Sequence, residues 1–208
     1  NLEYDHPDFF QSPAELQVSF AGFVDRLAAD GLLLVCADDD GAAALGDARA
    51  QAGQPVMRYG IHAADADWQA RNLLTDAVGT HFDVYHQGQL AGRGTLSLPG
   101  DHNVLNALVA VAVAHSQGLA VDGALRALAS FKATGRRFDV RGDDAGIAVV
   151  DDYAHHPTAI RATLAAARQR YPDRALWAVW QPHTYSRLRH LHDDFLAAFA
   201  DADHVLVL

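Results

Sequence analysis

Ile147-Ala-Val-Val-Asp-Asp-Tyr-Ala-His-His-Pro-Thr158 decides how this chain is read. An apolar run ends in acid, and an alanine-rich helical pattern starts near Pro157. The stretch predicts a strand that delivers an Asp, a Tyr and two His to its carboxyl end. In open α/β sheets ligands collect in that crevice, where side chains leave the sheet and meet helix N-termini. Downstream, the pattern predicts helix 157–170, strand 175–180, helix 186–200 and strand 204–208. With strand 147–151 this makes βαβαβ, a parallel sheet with crossover helices. A strand over Phe138–Gly142 precedes it, joined by a tight turn at Asp143–Gly146.

Upstream the character changes around Ala133-Thr-Gly135, which sets an expected boundary between residues 1–132 and 133–208. Ser12-Pro-Ala-Glu15 combines a capping serine, a proline at the first helical position and a glutamate three residues after the cap. The spacing of Leu16, Phe20, Phe23, Val24 and Leu27 extends that helix to about Ala29. A strand at 32–37, a turn at Asp38-Asp-Asp-Gly41, a short helix and a strand at Val56–Tyr59 follow. Alternating stretches at Thr80–His86 and Gln89–Leu98, joined at Gln87-Gly88, predict an antiparallel hairpin. Two helices, 103–117 and 122–130, come after Pro99-Gly100.

Composition limits the function. The chain has 208 residues, is 50% hydrophobic and 20% charged, as expected of a globular protein with a real core. Its formal charge of −10 gives no support to nucleic-acid binding, which calls for a basic surface. No apolar run has membrane-spanning length, so no membrane partner is expected. A single cysteine, Cys36, excludes an internal disulfide, reads as a buried strand residue and fits a cytoplasmic protein. The first residue is Asn and the last five read as a strand, which suggests a piece of a longer protein. The chain contains no G-x-x-x-x-G-K-S/T phosphate loop; its one lysine, Lys132, lacks the preceding glycine pattern. It also has no G-x-S-x-G, H-E-x-x-H or C-x-x-C.

Several polar clusters sit at element ends. Asp152 could accept both hydroxyls of a ribose and Tyr153 could stack on a base; the same residues would also suit a helix entry that only satisfies backbone N–H groups. Asn103 and Asn106 are three apart and share one helical face, where carboxamides could read a purine edge or merely cap the helix. Glu3-Tyr-Asp-His6 collects oxygen and imidazole ligands, although Mg²⁺ prefers oxygen, a single His ligand is an uncommon use, and a surface loop explains the pattern better. Arg136, Arg137, Arg187 and Arg189 are local positive charge in an acidic chain, of a kind suited to carboxylate and phosphate or simply to solvent.

Taken in order, Asn1-Leu-Glu-Tyr-Asp-His6, Pro99-Gly-Asp-His-Asn-Val-Leu-Asn106, Thr134-Gly-Arg-Arg-Phe-Asp139, Asp151-Asp-Tyr-Ala-His-His-Pro-Thr158 and Gln181-Pro-His-Thr-Tyr-Ser-Arg187 resemble the Mur ligases. The resemblance spans the chain. It implies an α/β protein: part of a central ATP-binding domain with an antiparallel hairpin region, then part of a Rossmann-like C-terminal domain with parallel βαβ order. It further implies ATP-dependent joining of L-alanine to UDP-N-acetylmuramate through an acyl-phosphate, in peptidoglycan synthesis, with ATP and Mg²⁺ as cofactors. Carried over by motif, His6 resembles an Mg²⁺ ligand. His102, Asn103 and Asn106 look like the adenine contact, Arg137 a phosphate contact, Asp152 a ribose contact and Tyr153 a nucleotide neighbour. His155 and Arg187 look like the groups meeting the amino acid and the acyl-phosphate.

Some members carry a carbamylated lysine after the Asp-His motif, and Leu16–Phe23 contains none. Thr184 stands where some members have Arg. Two other functions fit the residues less fully: a recycling ligase that attaches a tripeptide to the same sugar nucleotide, and a non-catalytic nucleotide-binding module. A module that only binds would not require His6 or Arg187.

Overall fold

Gln87 and Gly88 both take positive φ, 49° and 77°. Two such residues match the right-handed twist of flanking strands, and they close the expected hairpin. The computed structural model, which describes residues 1–76, 78–132 and 134–208, builds a five-stranded sheet around that hairpin. Strands β1 (Leu33–Cys36), β2 (Val56–Gly60) and β3 (Trp68–Thr75) run parallel, while β4 (Thr80–His86) and β5 (Gln89–Leu96) continue the sheet antiparallel.

Helix α1 (Pro13–Val24) begins as expected, with Ser12 capping the Glu15 N–H. It stops at Val24 rather than near Ala29. Beyond it Arg26 and Leu27 bond three residues back, to Phe23 and Val24. Past its end, the buried Arg49 of α2 (Asp40–Gln51) takes the carbonyls of Ala28 and Gly31 at 2.8 and 2.7 Å and holds the turns that follow the helix. Of the expected turn over Asp38–Gly41, Asp38 and Asp39 form the bend, while Asp40 and Gly41 open α2, which Asp39 caps through the Ala42 N–H at 2.8 Å.

The larger core lies between this sheet and α3 (Asp101–Ser116). Val104, Ala107, Leu108, Val111 and Ala112 of α3 are buried at the spacing of one helical face and meet Trp68, Ala70, Phe82 and Val84. Helix α4 (Val121–Ala129) sets Leu125 against the sheet. A Cβ on Gly92 would lie 2.7 Å from Leu125 Cδ1, and one on Gly94 would lie 2.5 Å from the Phe82 ring. The missing side chains at these glycines leave the room that both contacts need.

The later part contains β6 (Asp139–Asp144), β7 (Ile147–Asp151), α5 (Pro157–Arg170), β8 (Trp177–Trp180), α6 (Tyr185–His190), α7 (His192–Ala197) and β9 (His204–Val207). Three expectations change here. Strands β6 and β7 are joined by a tight turn at Ala145-Gly146, as expected, but β7 pairs with β6 and not with β8, so the parallel order is limited to β8 and β9. Phe138 precedes β6 at φ 45° with its ring buried. The helix over 186–200 breaks at Leu191, at φ −112° and ψ 26°, whose side chain is buried with Ile160, Phe195 and Ala198 in a second core. Tyr4, from the other end of the chain, packs on this core. Ala133, at the expected boundary, lies outside the described residues. No helix among those described is long and apolar enough to cross a membrane.

Leu108 has no solvent exposure and lies inside the larger core. Leu108→Ala should cost about 2–5 kcal/mol in a denaturant titration. The exposed Leu119→Ala should stay within about 0.5 kcal/mol. Equal effects would mean that α3 is not seated as described.

Candidate active site

Where β5 hands over to α3, Gly100 takes φ 94°. A Cβ there would lie 2.8 Å from the His102 ring and 2.9 Å from the Ala166 Cβ of α5. Only glycine allows α3 to start beside α5. That start aims His102, Asn103 and Asn106 at a cavity of about 1120 Å³. Asn103 Nδ2 donates to the Pro99 carbonyl at 2.8 Å, which leaves its carbonyl oxygen available. Burial pushes the His102 imidazole below its ordinary value, despite the opposing pull of Asp152 and Asp101. A neutral imidazole can donate from one nitrogen and accept at the other.

The cavity's second wall comes from β7 and the loop before β6. Asp152 accepts the Phe138 N–H through one oxygen and the Ala154 N–H through the other, both at 2.7 Å. The Tyr153 N–H donates to the Arg136 carbonyl at 2.9 Å. Between them these bonds hold a loop in which Arg136 and Phe138 both occupy the left-handed region, at φ 61° and 45°. That conformation is rare for a bulky residue and needs support from its surroundings. The supported residue is Arg137, which lines the cavity. Tyr153 is exposed beside it, with the Arg136 and Arg137 guanidinium groups 4.9 and 5.7 Å from its ring and the His155 ring 4.9 Å away. His155 Nδ1 lies 2.8 Å from the Tyr153 carbonyl, so that nitrogen donates and the ring is turned by that bond.

The third wall is the start of the chain. Glu3 and Asp5 line the cavity, and His6 follows with its side chain 68% exposed and φ 54°. Arg187 stands behind them, 4% exposed, with its fork on Asp5 at 2.8 and 3.2 Å. Burial pushes the Asp5 carboxyl up, but the Arg187 fork and the His6 N–H bring it below the ordinary carboxylate range. His156, not His155, reaches into the cavity: its Nε2 donates to the Tyr4 carbonyl at 3.2 Å and its Nδ1 caps α5.

The structure thus gathers His102, Asn103, Asn106, Arg137 and Asp152 on one cavity, with Tyr153 against Arg137. It leaves His6 exposed beside Asp5 and encloses Arg187 behind it. Sequence reasoning missed Asp38, Asp39 and His156. Asp38 follows β1 and accepts the N–H groups of Ile61, His62 and Ala63 at 2.6, 3.0 and 2.7 Å. Its place after an apolar run was the available signal. Tyr59 lines the same wall as a phenol, pushed up to about 12 by burial and then by Cys36 and the aspartates. Among the described residues no three His, Cys, Asp or Glu are placed to hold a metal ion. His6 could supply one nitrogen ligand; Mg²⁺ is ordinarily held by one or two carboxylates with phosphate oxygens and water, so an ion here would draw most of its shell from outside these residues.

The His102 shift makes stability depend on pH with a definite sign. The native state disfavours the charged imidazole, so the unfolded state binds more protons below its own value of about 6.5. Stability is full above that pH and falls as the pH drops through the folded value. His86, lowered by burial and then by His115, acts in the same direction. His102→Gln should flatten the fall of the thermal midpoint between about pH 7 and 5. An unchanged slope would show that His102 is hydrated in the native state.

The Mur ligase middle domain family matches residues 1–114, and the Mur ligase, glutamate ligase domain family matches residues 136–208. A UDP-N-acetylmuramate–L-alanine ligase of Roseiflexus sp. (strain RS-1) is 42% identical over 225 aligned positions, covering 100% of this chain and 47% of that protein. The crystal structure of UDP-N-acetylmuramate-alanine ligase from Thermotoga maritima superposes with a TM-score of 0.76 at 27% identity, over 98% of this chain and 43% of that one. A murein peptide ligase from Psychrobacter arcticus superposes at 0.62 with 33% identity, over 92% and 40%. The chain spans under half the length of the curated relatives it matches. Two domain families matched in order, on either side of a cavity lined by residues from both, lead to one conclusion: the chain belongs to the Mur ligase family.

Proposed function

We propose that this chain forms the nucleotide-facing part of an ATP-dependent ligase that joins L-alanine to UDP-N-acetylmuramate in peptidoglycan synthesis. The observation that carries this reading is the cavity walled by α3, by the loop before β6 and by residues 3–5, in a chain about 40% identical to enzymes named for that reaction. Residues 1–132 serve as the later part of the central domain and 133–208 as the first part of the C-terminal domain. The chain's one cysteine, Cys36, is free and buried, which fits a reducing cytoplasm.

His102, Asn103 and Asn106 face the adenine in this reading. Asp152 meets the ribose: each of its oxygens accepts one backbone N–H and keeps a second lone pair for a hydroxyl. Arg137, braced by its loop and beside Tyr153, meets the phosphates. His155 stands toward the amino acid. His6 serves as one Mg²⁺ ligand, and the ion when bound would offset the charge of the converging phosphate oxygens.

The sugar carboxylate attacks the γ-phosphorus and ADP leaves, giving an acyl-phosphate. The alanine amine then attacks the acyl carbon, phosphate leaves, and the nitrogen loses a proton. No nucleophilic side chain is required. The protein's part is to orient anionic groups and stabilise their charge.

The full-length gene product, given ATP and UDP-N-acetylmuramate, should release phosphate with L-alanine in preference to glycine, L-serine or a tripeptide. Carboxylate labelled with ¹⁸O should pass one label into the released phosphate. Arg137→Ala should weaken KM for ATP or kcat by about 10- to 150-fold, the cost of one charge-assisted hydrogen bond. The 208-residue chain alone, without a phosphate loop, should give no turnover. Product with the tripeptide alone would assign the recycling reaction, for which the 33% identity to a murein peptide ligase speaks. Nucleotide binding without product would leave a binding module.

A further inference from the structure

Arg187 and Asp5 are 182 positions apart and form a two-point ion pair. Arg187 Nε donates to Asp5 Oδ1 at 2.8 Å, Nη2 to Oδ2 at 3.2 Å, and Nη1 to the His183 carbonyl at 3.1 Å. With the side chain 4% exposed, no face of the fork is open to a ligand carboxylate. Asp5 passes the constraint on. Its Oδ1 also accepts the His6 N–H at 2.7 Å, and the His6 carbonyl accepts the N–H groups of Phe9 and Phe10 at 2.8 and 3.0 Å. His6 itself sits at φ 54°, a conformation that needs outside support.

Two neighbouring contacts repeat the pattern. Ser186 Oγ donates to Asp8 Oδ2 at 2.8 Å, and His156 Nε2 to the Tyr4 carbonyl at 3.2 Å. Residues 4–8 are thus fastened to α5 and α6, while the Leu2 N–H is held by Asp39 at 3.0 Å at the start of α2.

We propose that Arg187 is a positioning residue: its fork, closed on Asp5, holds the Asp5–His6 turn at the edge of the cavity, and it does not itself meet the amino acid or the acyl-phosphate. The effect on turnover rests on the ligase reading given above, and the effect on the turn does not. A misplaced His6 slows chemistry without removing an alanine contact, so kcat should suffer and KM for alanine should not.

Two measurements test this. In the full-length enzyme, Arg187→Gln and Asp5→Asn should each lower kcat about 10- to 100-fold with KM for alanine within about twofold. The double variant should be no worse than the weaker single, because both remove one unit. Arg187→Lys should recover part of the loss, keeping the charge without the fork. Multiplied losses in the double variant, or a raised KM for alanine with Arg187→Gln but not with Asp5→Asn, would overturn the proposal and give Arg187 a direct substrate contact.

In the 208-residue chain, hydrogen exchange should speed up at the Phe9 and Phe10 amides in both single variants and stay unchanged in α3. Unchanged exchange at those amides would overturn the proposal even if the ligase reading holds. Faster exchange there in a protein without ligase activity would uphold the turn-holding role while the ligase reading fails. Should Arg187→Gln not fold, Asp5→Asn and Arg187→Lys read by exchange decide the same point.

Discussion

Everything on the cavity side of this molecule depends on how closely α5 approaches the start of α3. Gly100 is the point of contact, with His102 on one side and Ala166 on the other, each within 2.9 Å of where a side chain would begin. A larger residue would push the helices apart and turn His102 away from Asp152. The approach itself is stabilised elsewhere. Trp68, Leu108 and their neighbours fix α3 to the sheet, and Ile160, Leu191 and Phe195 fix α5 to α7. Two apolar cores therefore meet at a glycine, and the polar groups on either side face one another across the cavity.

The polar groups are in turn held by the backbone. Asp152 and Asp38 each spend their carboxylates on main-chain N–H groups, two for the first and three for the second. A carboxylate used this way fixes a loop more firmly than an apolar side chain could, since it satisfies donors that would otherwise be buried unpaired. The Arg137 loop shows the result. Two non-glycine residues stay in the left-handed region because Asp152 and the Tyr153 N–H anchor them from β7.

The Asp5–Arg187 pair follows different physics. Arg187 is buried and Asp5 partly so, and an ion pair in such a place gains little net stability over an apolar pair of equal volume. What the fork adds is direction: two parallel bonds fix the angle of the carboxylate as well as its distance. That suits a segment whose task is to hold one exposed imidazole in one place. Tyr4 contributes the apolar half of the same attachment by packing on the second core.

Local signals were legible in the sequence. The Ser12 cap, the Gln87-Gly88 turn, the helix over 103–117, and the Asp, His and Asn residues at element ends all follow from propensity and period. What depended on distant partners was not legible. Helix α1 gives way early to turns whose carbonyls Arg49 takes, and the 186–200 helix breaks where Leu191 enters a core shared with α5. Strand β7 reads as part of a parallel sheet, yet its hydrogen bonds go to β6. Asn103 and Asn106 share a face by helical geometry alone. Whether Arg187 is open or enclosed turns on Asp5, far away in sequence, and on burial that no local pattern encodes. Local pattern establishes which groups are present and which element carries each. Which of them face the cavity, and which are spent on one another, follows from the fold, because pairing and burial are set by residues brought together from opposite ends of the chain.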